Sequence, residues 1–499
     1  MDAVPLPFHG MTPPASRFRF TSPAPVLLPA LVILIGALLR IALLGVDARL
    51  HPDEALFAAQ ARTITAQDDL LLRGADLDKP PLTIYSLALS FALWGPSEFA
   101  ARLPNVFASV LTLAMLYRLA SALSGDRATG LLAALLLALS PYDLAFAATA
   151  FTDVQATLWA LVAALLAARG RWALAGAAAA LMIAAKLNAA LALPLIAALG
   201  LAQTTRESDP PRAILTRLAR FAAPLVVGLA LLALWDAARA PQSFWALNAA
   251  RNNPGRFIRS DELLPRLEAW AVWLRYVTGA PLLSFVLLAG ALALLATGWR
   301  SRTRAALSDW LIAAWAVAFL AAHWLIAVNT YDRYLHLLVP FLLILAARGA
   351  VRSVRAAKLG RAAPVMLLAL AVVAMSPGIV SALRGEAPLG GDQGRHTGID
   401  ALAGALNRDL AGAVVYENGL GWELAFYLGD PPGVRVVHTP QPEALADEMA
   451  GRAETRYFVA PSAAHAAPWL DALARAGVAA RRVDLDSAGD YALYELTPR

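Results

Sequence analysis

The residues of this 499-residue chain best suited to chemistry are a handful of acids and bases set among apolar runs. His51, Asp53 and Glu54 open the stretch HPDEALFAAQARTI, and Asp76, Asp78 and Lys79 close the same polar loop just before Pro80 and Pro81. Arg102 lies in SEFAARLPN, Asp153 in AFTDVQATLW, Lys186 in AAKLNAA, and Tyr331 and Arg333 in NTYDRYLHLL. A carboxylate facing cations suits group transfer from an anionic leaving group. The cations meet the charge that develops, and the carboxylate takes the proton of an attacking hydroxyl. A phosphate, with a second pKa of about 6, departs without a general acid. Cleavage of a sugar–sugar bond would instead need two carboxyl groups at a set separation, one of them protonated.

Most of these residues also admit a structural role. Asp53 and Glu54 suit an N-cap and a first-turn acid, the cap contributing about 1 kcal/mol. Lys79 suits a headgroup anchor, with the prolines ending one helix and starting the next. Asp153 suits another N-cap, a position for which Thr152 competes. Lys186, near a span's end, suits a snorkelling lysine.

The elements that must position them are membrane spans. A chain 59% hydrophobic and 16% charged, with no cysteine, has no disulfide framework and no thiol nucleophile. Its mean hydropathy of +0.57 is that of a polytopic membrane protein. The net charge of +6 sits in short loops between apolar runs, where it sets topology, so nucleic acid is not an expected partner. The run 26–46 is longer than a signal-peptide core and reads as an uncleaved signal anchor, with residues 1–25, including Arg17 and Arg19, in the cytoplasm.

Length and flanking charge place eleven spans, near 26–46, 103–123, 128–148, 153–169, 172–188, 189–203, 220–238, 270–297, 309–328, 334–347 and 362–382. The stretch 82–94 is too short for an ordinary span and reads as an interfacial helix. With 82–94 outside the membrane, every arginine-rich loop falls on one side, with the N-terminus in and the C-terminus out. The opposite face then collects the first outer loop 47–101, the turn before Asp153, the segment 239–268, the turn before Arg333 and everything after Arg384. Arg333 is notable there, because the positive-inside rule gives no reason for an arginine at a span's outer start.

The tail has a soluble pattern. Strand-like AVVYE, VRVVH, RYFVA and RRVDL alternate with helix-length stretches and end in YALYEL, which predicts a small α/β domain with a mainly parallel sheet. It carries neither a G-x-G-x-x-G nor a P-loop. The expected organisation is 1–25 cytoplasmic, 26–384 a transmembrane catalytic domain and 385–499 an extracytoplasmic domain.

The order DEALFA, DKPPL, SEFAARLPN, ALSPYDLAFAATAFTD, a lysine at the outer end of a later span, and DRYLHLLVP resembles the GT-C glycosyltransferases of the protein O-mannosyltransferase and lipid A aminoarabinose transferase group. The likeness covers most of residues 26–350. It implies an inverting transfer of one sugar from a polyprenyl-phosphate carrier to an acceptor at the outer face of a bacterial inner membrane. By resemblance, Asp53 is the acid that activates the acceptor hydroxyl and Lys79 holds the carrier phosphate. Arg333 is a later phosphate contact, and Asp153 a second acid near the site. Asp78 stands where some members have glutamate. Glu54, Arg102, Lys186 and Tyr331 join them as expected substrate contacts.

No cofactor is required by this reading. His51, Asp53 and Asp78 are the residues a divalent ion would use, in a spacing that matches no known metal box. The expected acceptor is a glycolipid, a polysaccharide or a protein, chosen by the 239–268 segment and the tail. Two other classes fit a helical membrane protein with outward cations: a flippase for lipid-linked sugar, and a ligase or polymerase using a polyprenyl-diphosphate donor.

Overall fold

The computed structural model describes residues 24–498 apart from 254, 302, 359, 361 and 485–488. Residues 1–23, with Arg17 and Arg19, lie outside the described residues. Helices form at every position where a span is expected. Six of them are long and apolar enough to cross a membrane: Glu98–Ser124, Leu187–Thr204, Pro211–Ala237, Pro281–Gly298, Arg304–Leu325 and Val365–Leu383. A seventh joins them if Arg127–Ala138 and Pro141–Ala147, bent by 61°, make one span. The apolar helices Leu27–Leu43, Thr152–Ala168 and Trp172–Ala185 are shorter, as is Leu82–Trp94. The protein is thus a polytopic helical membrane protein.

The boundaries differ from the expected ones where the backbone is interrupted. The expected straight span 128–148 breaks at Ser140, because Pro141 has no N–H for the helix ladder and starts a new helix that Ser140 caps. The expected span 270–297 divides into Leu263–Leu274 and Pro281–Gly298, parted by Gly279 at φ +65° and by Pro281. The expected span 334–347 starts late, as helix Val339–Ala356, after a 3-10 turn Asp332–Leu337. A second 3-10 turn, Leu187–Ala192, follows the helix that ends at Ala185. A β-carbon on Gly349 would come within 2.5 Å of the Gly290 backbone, so Val339–Ala356 and Pro281–Gly298 meet through glycine, the close approach typical of helices in lipid.

The loop 47–101 folds as helix Pro52–Ala66, an irregular hairpin through Lys79, and helix Leu82–Trp94 before the next helix begins at Glu98. Its buried face, with Leu50, Phe57, Leu72, Leu77 and Ile84, forms a core that also takes in Phe244 and Phe426, so the loop, the 239–268 segment and the C-terminal region pack together.

The C-terminal sheet has five strands, β1 Val414–Glu417, β2 Arg435–His438, β3 Arg456–Ala460, β4 Val478–Val483 and β5 Ala492–Pro498, in the order β2-β1-β3-β5-β4. Only the β1–β2 and β1–β3 pairings are parallel; β5 runs antiparallel to both β3 and β4. The sheet is mixed rather than mainly parallel. The connection from β4 to β5, residues 484–491, is shorter than the dozen or so residues a parallel crossover needs, so β5 returns antiparallel alongside β4. Neighbouring residues serve opposite faces: Val415 packs with the Ile399–Asp409 and Gly421–Tyr427 helices, Tyr416 with Pro442–Ala450 and Ala463–Arg475.

Candidate active site

Asp53 sits in the first turn of helix Pro52–Ala66, where the positive end of the helix favours a carboxylate. His51 caps that helix, its Nδ1 accepting from the Asp53 N–H at 3.1 Å, while the His51 N–H donates to Glu54 Oε2 at 2.9 Å. This reciprocal capping box fixes where Asp53 points. Burial pushes the His51 imidazole below its ordinary pKa, which suits a neutral ring whose Nδ1 accepts.

Glu54 is fully buried. Its other oxygen accepts from the Ala150 N–H at 2.7 Å and lies 3.8 Å from Arg102 Nε, and burial raises its pKa against the pull of Arg102 and the two backbone donors. Arg102 is buried too and donates to the Arg49 carbonyl. Glu54 and Arg102 thus hold the loop against the bundle.

Asp53 Oδ2 accepts from Arg333 Nη2 at 2.5 Å. Arg333 projects from the Asp332–Leu337 turn between two rings, 4.3 Å from the Tyr331 centroid and 5.1 Å from that of Phe151. Asp153 stands in the first turn of helix Thr152–Ala168 and pairs with Lys186, whose ammonium lies 4.7 Å from the Tyr334 ring centroid. Phe151, not Asp153 or Thr152, occupies the N-cap position, and Lys186 is turned inward onto Asp153 rather than snorkelling outward. Lys79 Nζ donates to Asp78 Oδ2 at 2.6 Å. The Asp78 carboxylate and carbonyl also receive Asn252 and Asn248, from helix Phe244–Asn252 of the 239–268 segment, and Asp76 pairs with Arg251 of that helix.

Arg333, Lys79 and Asp153 all lie within electrostatic reach of Lys186, and Asp153 within that of Arg333. The structure therefore gathers Asp53, Arg333, Asp153, Lys186 and Lys79 into one cluster, with Tyr331 and His51 at its edge. Each sits at a helix start or at an interruption of the backbone. Among the described residues no three His, Asp or Glu side chains converge as metal ligands; Asp53 is turned to Arg333 and Asp78 to Lys79.

Sequence reasoning missed a buried network behind this cluster. Arg40 pairs with Asp143 and donates from Nε to Ser109 Oγ at 2.7 Å. His336 Nε2 lies 3.4 Å from Asp143 Oδ1, and its Nδ1 is 2.9 Å from Thr157 Oγ1. The Tyr142 hydroxyl donates to the Asp332 carbonyl at 2.7 Å, and Asp332 Oδ2 accepts from the Gly390 N–H at 2.8 Å. These bonds fix both ends of the turn that carries Arg333. The signal was present: an arginine inside the run 26–46 and an aspartate inside 128–148 are costly in a membrane unless they meet.

Residues 78–227 match the PMT_2 family model, described as dolichyl-phosphate-mannose-protein mannosyltransferase. The whole chain is similar to ArnT from Cupriavidus metallidurans bound to undecaprenyl phosphate, with a TM-score of 0.62 at 17% identity, covering 95% of this chain and 98% of that one. It is also similar to the Archaeoglobus fulgidus oligosaccharyltransferase in the apo form, with a TM-score of 0.54 at 13% identity, covering 88% and 70%. A curated "uncharacterized protein" of Aquifex aeolicus (strain VF5) is 28% identical over 138 residues, 27% of this chain and 26% of the relative's length. The fold is that of the GT-C glycosyltransferases.

Proposed function

We propose that the protein is an inverting glycosyltransferase that moves a single sugar from a polyprenyl-phosphate carrier to an acceptor at the outer face of a bacterial inner membrane. The observation that carries this reading is the cluster itself: a carboxylate, Asp53, held against Arg333 with Lys79 and Lys186 nearby, at the ends of apolar helices. Its support is the PMT_2 match over residues 78–227 and the GT-C fold shared with a protein crystallised with undecaprenyl phosphate.

In this reading Lys79 and Arg333 bind the carrier phosphate. The acceptor hydroxyl oxygen attacks the anomeric carbon from the face opposite the phosphate. The anomeric carbon–oxygen bond to phosphate breaks, polyprenyl phosphate leaves with the electron pair, and Asp53 receives the hydroxyl proton. Aspartate is a weak base, so proton transfer comes late, in an oxocarbenium-like transition state, and the cations do most of the stabilising. A guanidinium that grips a carboxylate grips phosphate with the same fork, so arriving donor competes for Arg333 and frees Asp53. Asp153 and Lys186 form the neighbouring wall, and Asp78 orients Lys79.

Eleven spans with the N-terminus inside remain part of the proposal. In its support the arginine-rich loops meet one another: Arg355 lies 3.1 Å from Asp126, and Arg304 donates to the carbonyls of Gln203 and Thr205. Incubation of the purified protein with radiolabelled polyprenyl-phosphate sugars and an envelope extract tests the reading: label moves covalently into an acceptor. Counterflow without covalent transfer would make it a flippase, and label moved only from a diphosphate carrier would make it a ligase or polymerase.

A further inference from the structure

A chamber of about 1100 Å³ lies between helix Pro52–Ala66 and the C-terminal region. Pro52, the residue before Asp53, lines one part of it; Asp76 and Arg251 line another, and Trp422, Glu423 and Arg435 the side opposite the helix. The 239–268 segment and the tail, which the reaction as written does not use, therefore converge on one space that reaches the residue next to Asp53 in the chain. At the larger end of ordinary ligand sites, which run to about 1,000 Å³, the chamber has room for more than one sugar ring.

We propose that this chamber is the acceptor site and that it takes an uncharged saccharide; the proposal rests on the glycosyltransferase reading above. The lining sets Arg62, Arg251 and Arg435 against the acids Asp76, Glu417, Glu423 and Asp430, so it lacks the cation excess that would hold a phosphate-rich headgroup. Sugar hydroxyls, each both donor and acceptor, match such a mixed rim. Trp422 supplies the other requirement, a flat apolar face: it is 47% exposed although it lines the chamber.

The experiment uses the full chain in lipid nanodiscs, with oligosaccharides released from the cell envelope by mild acid as probe and inorganic phosphate as the anionic comparison. Saturation-transfer NMR should show oligosaccharide binding that Trp422→Ala weakens by roughly tenfold or more. Trp422→Phe should restore part of it, and Asp53→Asn should leave it intact. Trp422 is half exposed, so its truncation leaves no hole in the core. Binding equal to wild type in both Trp422→Ala and Arg435→Ala, or phosphate binding without oligosaccharide binding, would overturn the proposal. Transfer by Trp422→Ala with an unchanged acceptor KM would remove the chamber and leave the reaction standing. Oligosaccharide binding without any transfer by the wild type would keep the chamber and remove the reaction.

Discussion

Arg333 Nη2 lies 2.5 Å from Asp53 Oδ2, joining residues 280 positions apart in one half-buried ion pair. The pair sets a base beside the cation that its substrate would claim. Asp53→Asn removes the proton acceptor and keeps the shape, so transfer of radiolabelled sugar should fall by about a hundredfold or more. Membrane insertion and donor binding should persist, because Arg333 and Lys79 remain. Wild-type turnover in this variant would refute the assignment.

The cations should separate by geometry. Arg333→Lys keeps a charge but loses the planar fork, and its donor KM should rise by about tenfold. Lys79→Ala removes a point charge and should weaken competition by free polyprenyl phosphate to a similar degree. A donor KM unchanged in both variants would place the phosphate elsewhere.

Much of this site was legible because charge is conspicuous in an apolar chain. Arg333 stood out because the expected topology gives an arginine there no purpose, and Asp53 and Lys79 because they open and close a polar loop between apolar runs. Their pairings were not legible. That Lys186 turns to Asp153, and Glu54 inward to Ala150 and Arg102, depends on helix rotation, which an apolar-all-round Ala/Leu sequence does not encode. The interruptions at Pro141 and Gly279 were passed over because the apolar runs on either side add up to span length, although Ser140-Pro141 and Gly279-Ala280-Pro281 mark the breaks in the sequence. The mixed sheet escaped because pairing direction follows from connections, not from strand composition.

Metal dependence has a simple expectation. The reaction places the leaving charge on Lys79 and Arg333, so exhaustive chelation should leave turnover unchanged. Loss of turnover restored by a divalent ion would return His51, Asp53 and Asp78 to the role of ligands.

The join between membrane domain and tail should respond to pH. His396 Nδ1 lies 2.5 Å from Asp392 Oδ1, and its Nε2 faces Glu423. Burial raises Glu423 from 4.5 to about 7, despite His396; Asp392 and Glu423 hold His396 above its ordinary value, against burial. A carboxyl raised on folding binds its proton more tightly in the native state, so its share of stability falls as pH rises from the unfolded value through about 7. The raised histidine acts in the same direction: its contribution is complete below its unfolded pKa and is lost as pH passes the folded one. Thermal unfolding followed from about pH 6 to about pH 8 should therefore show a falling midpoint, and Glu423→Gln should flatten the slope. An identical slope in that variant would assign the effect to other groups.

The network behind Arg333 offers the sharpest separation of stability from chemistry. Arg40 and Asp143 are both buried among apolar helices, and Asp143 also faces His336 in the turn that carries Arg333. Removing one member strands the other, at a cost of about 3–5 kcal/mol in a buried pair. Arg40→Ala should therefore lower the melting temperature in detergent far more than any substitution at Asp53. Replacing both, Arg40→Met with Asp143→Leu, removes the stranded charge and should recover much of that stability. Yet His336 then lacks the carboxylate that lies 3.4 Å from its Nε2, and the turn loses one of the contacts that set the position of Arg333. The double variant should thus fold but bind donor poorly, with a raised KM rather than a lost fold. A double variant with wild-type KM would show that Tyr142 and Gly390 hold Asp332, and with it Arg333, without help from His336.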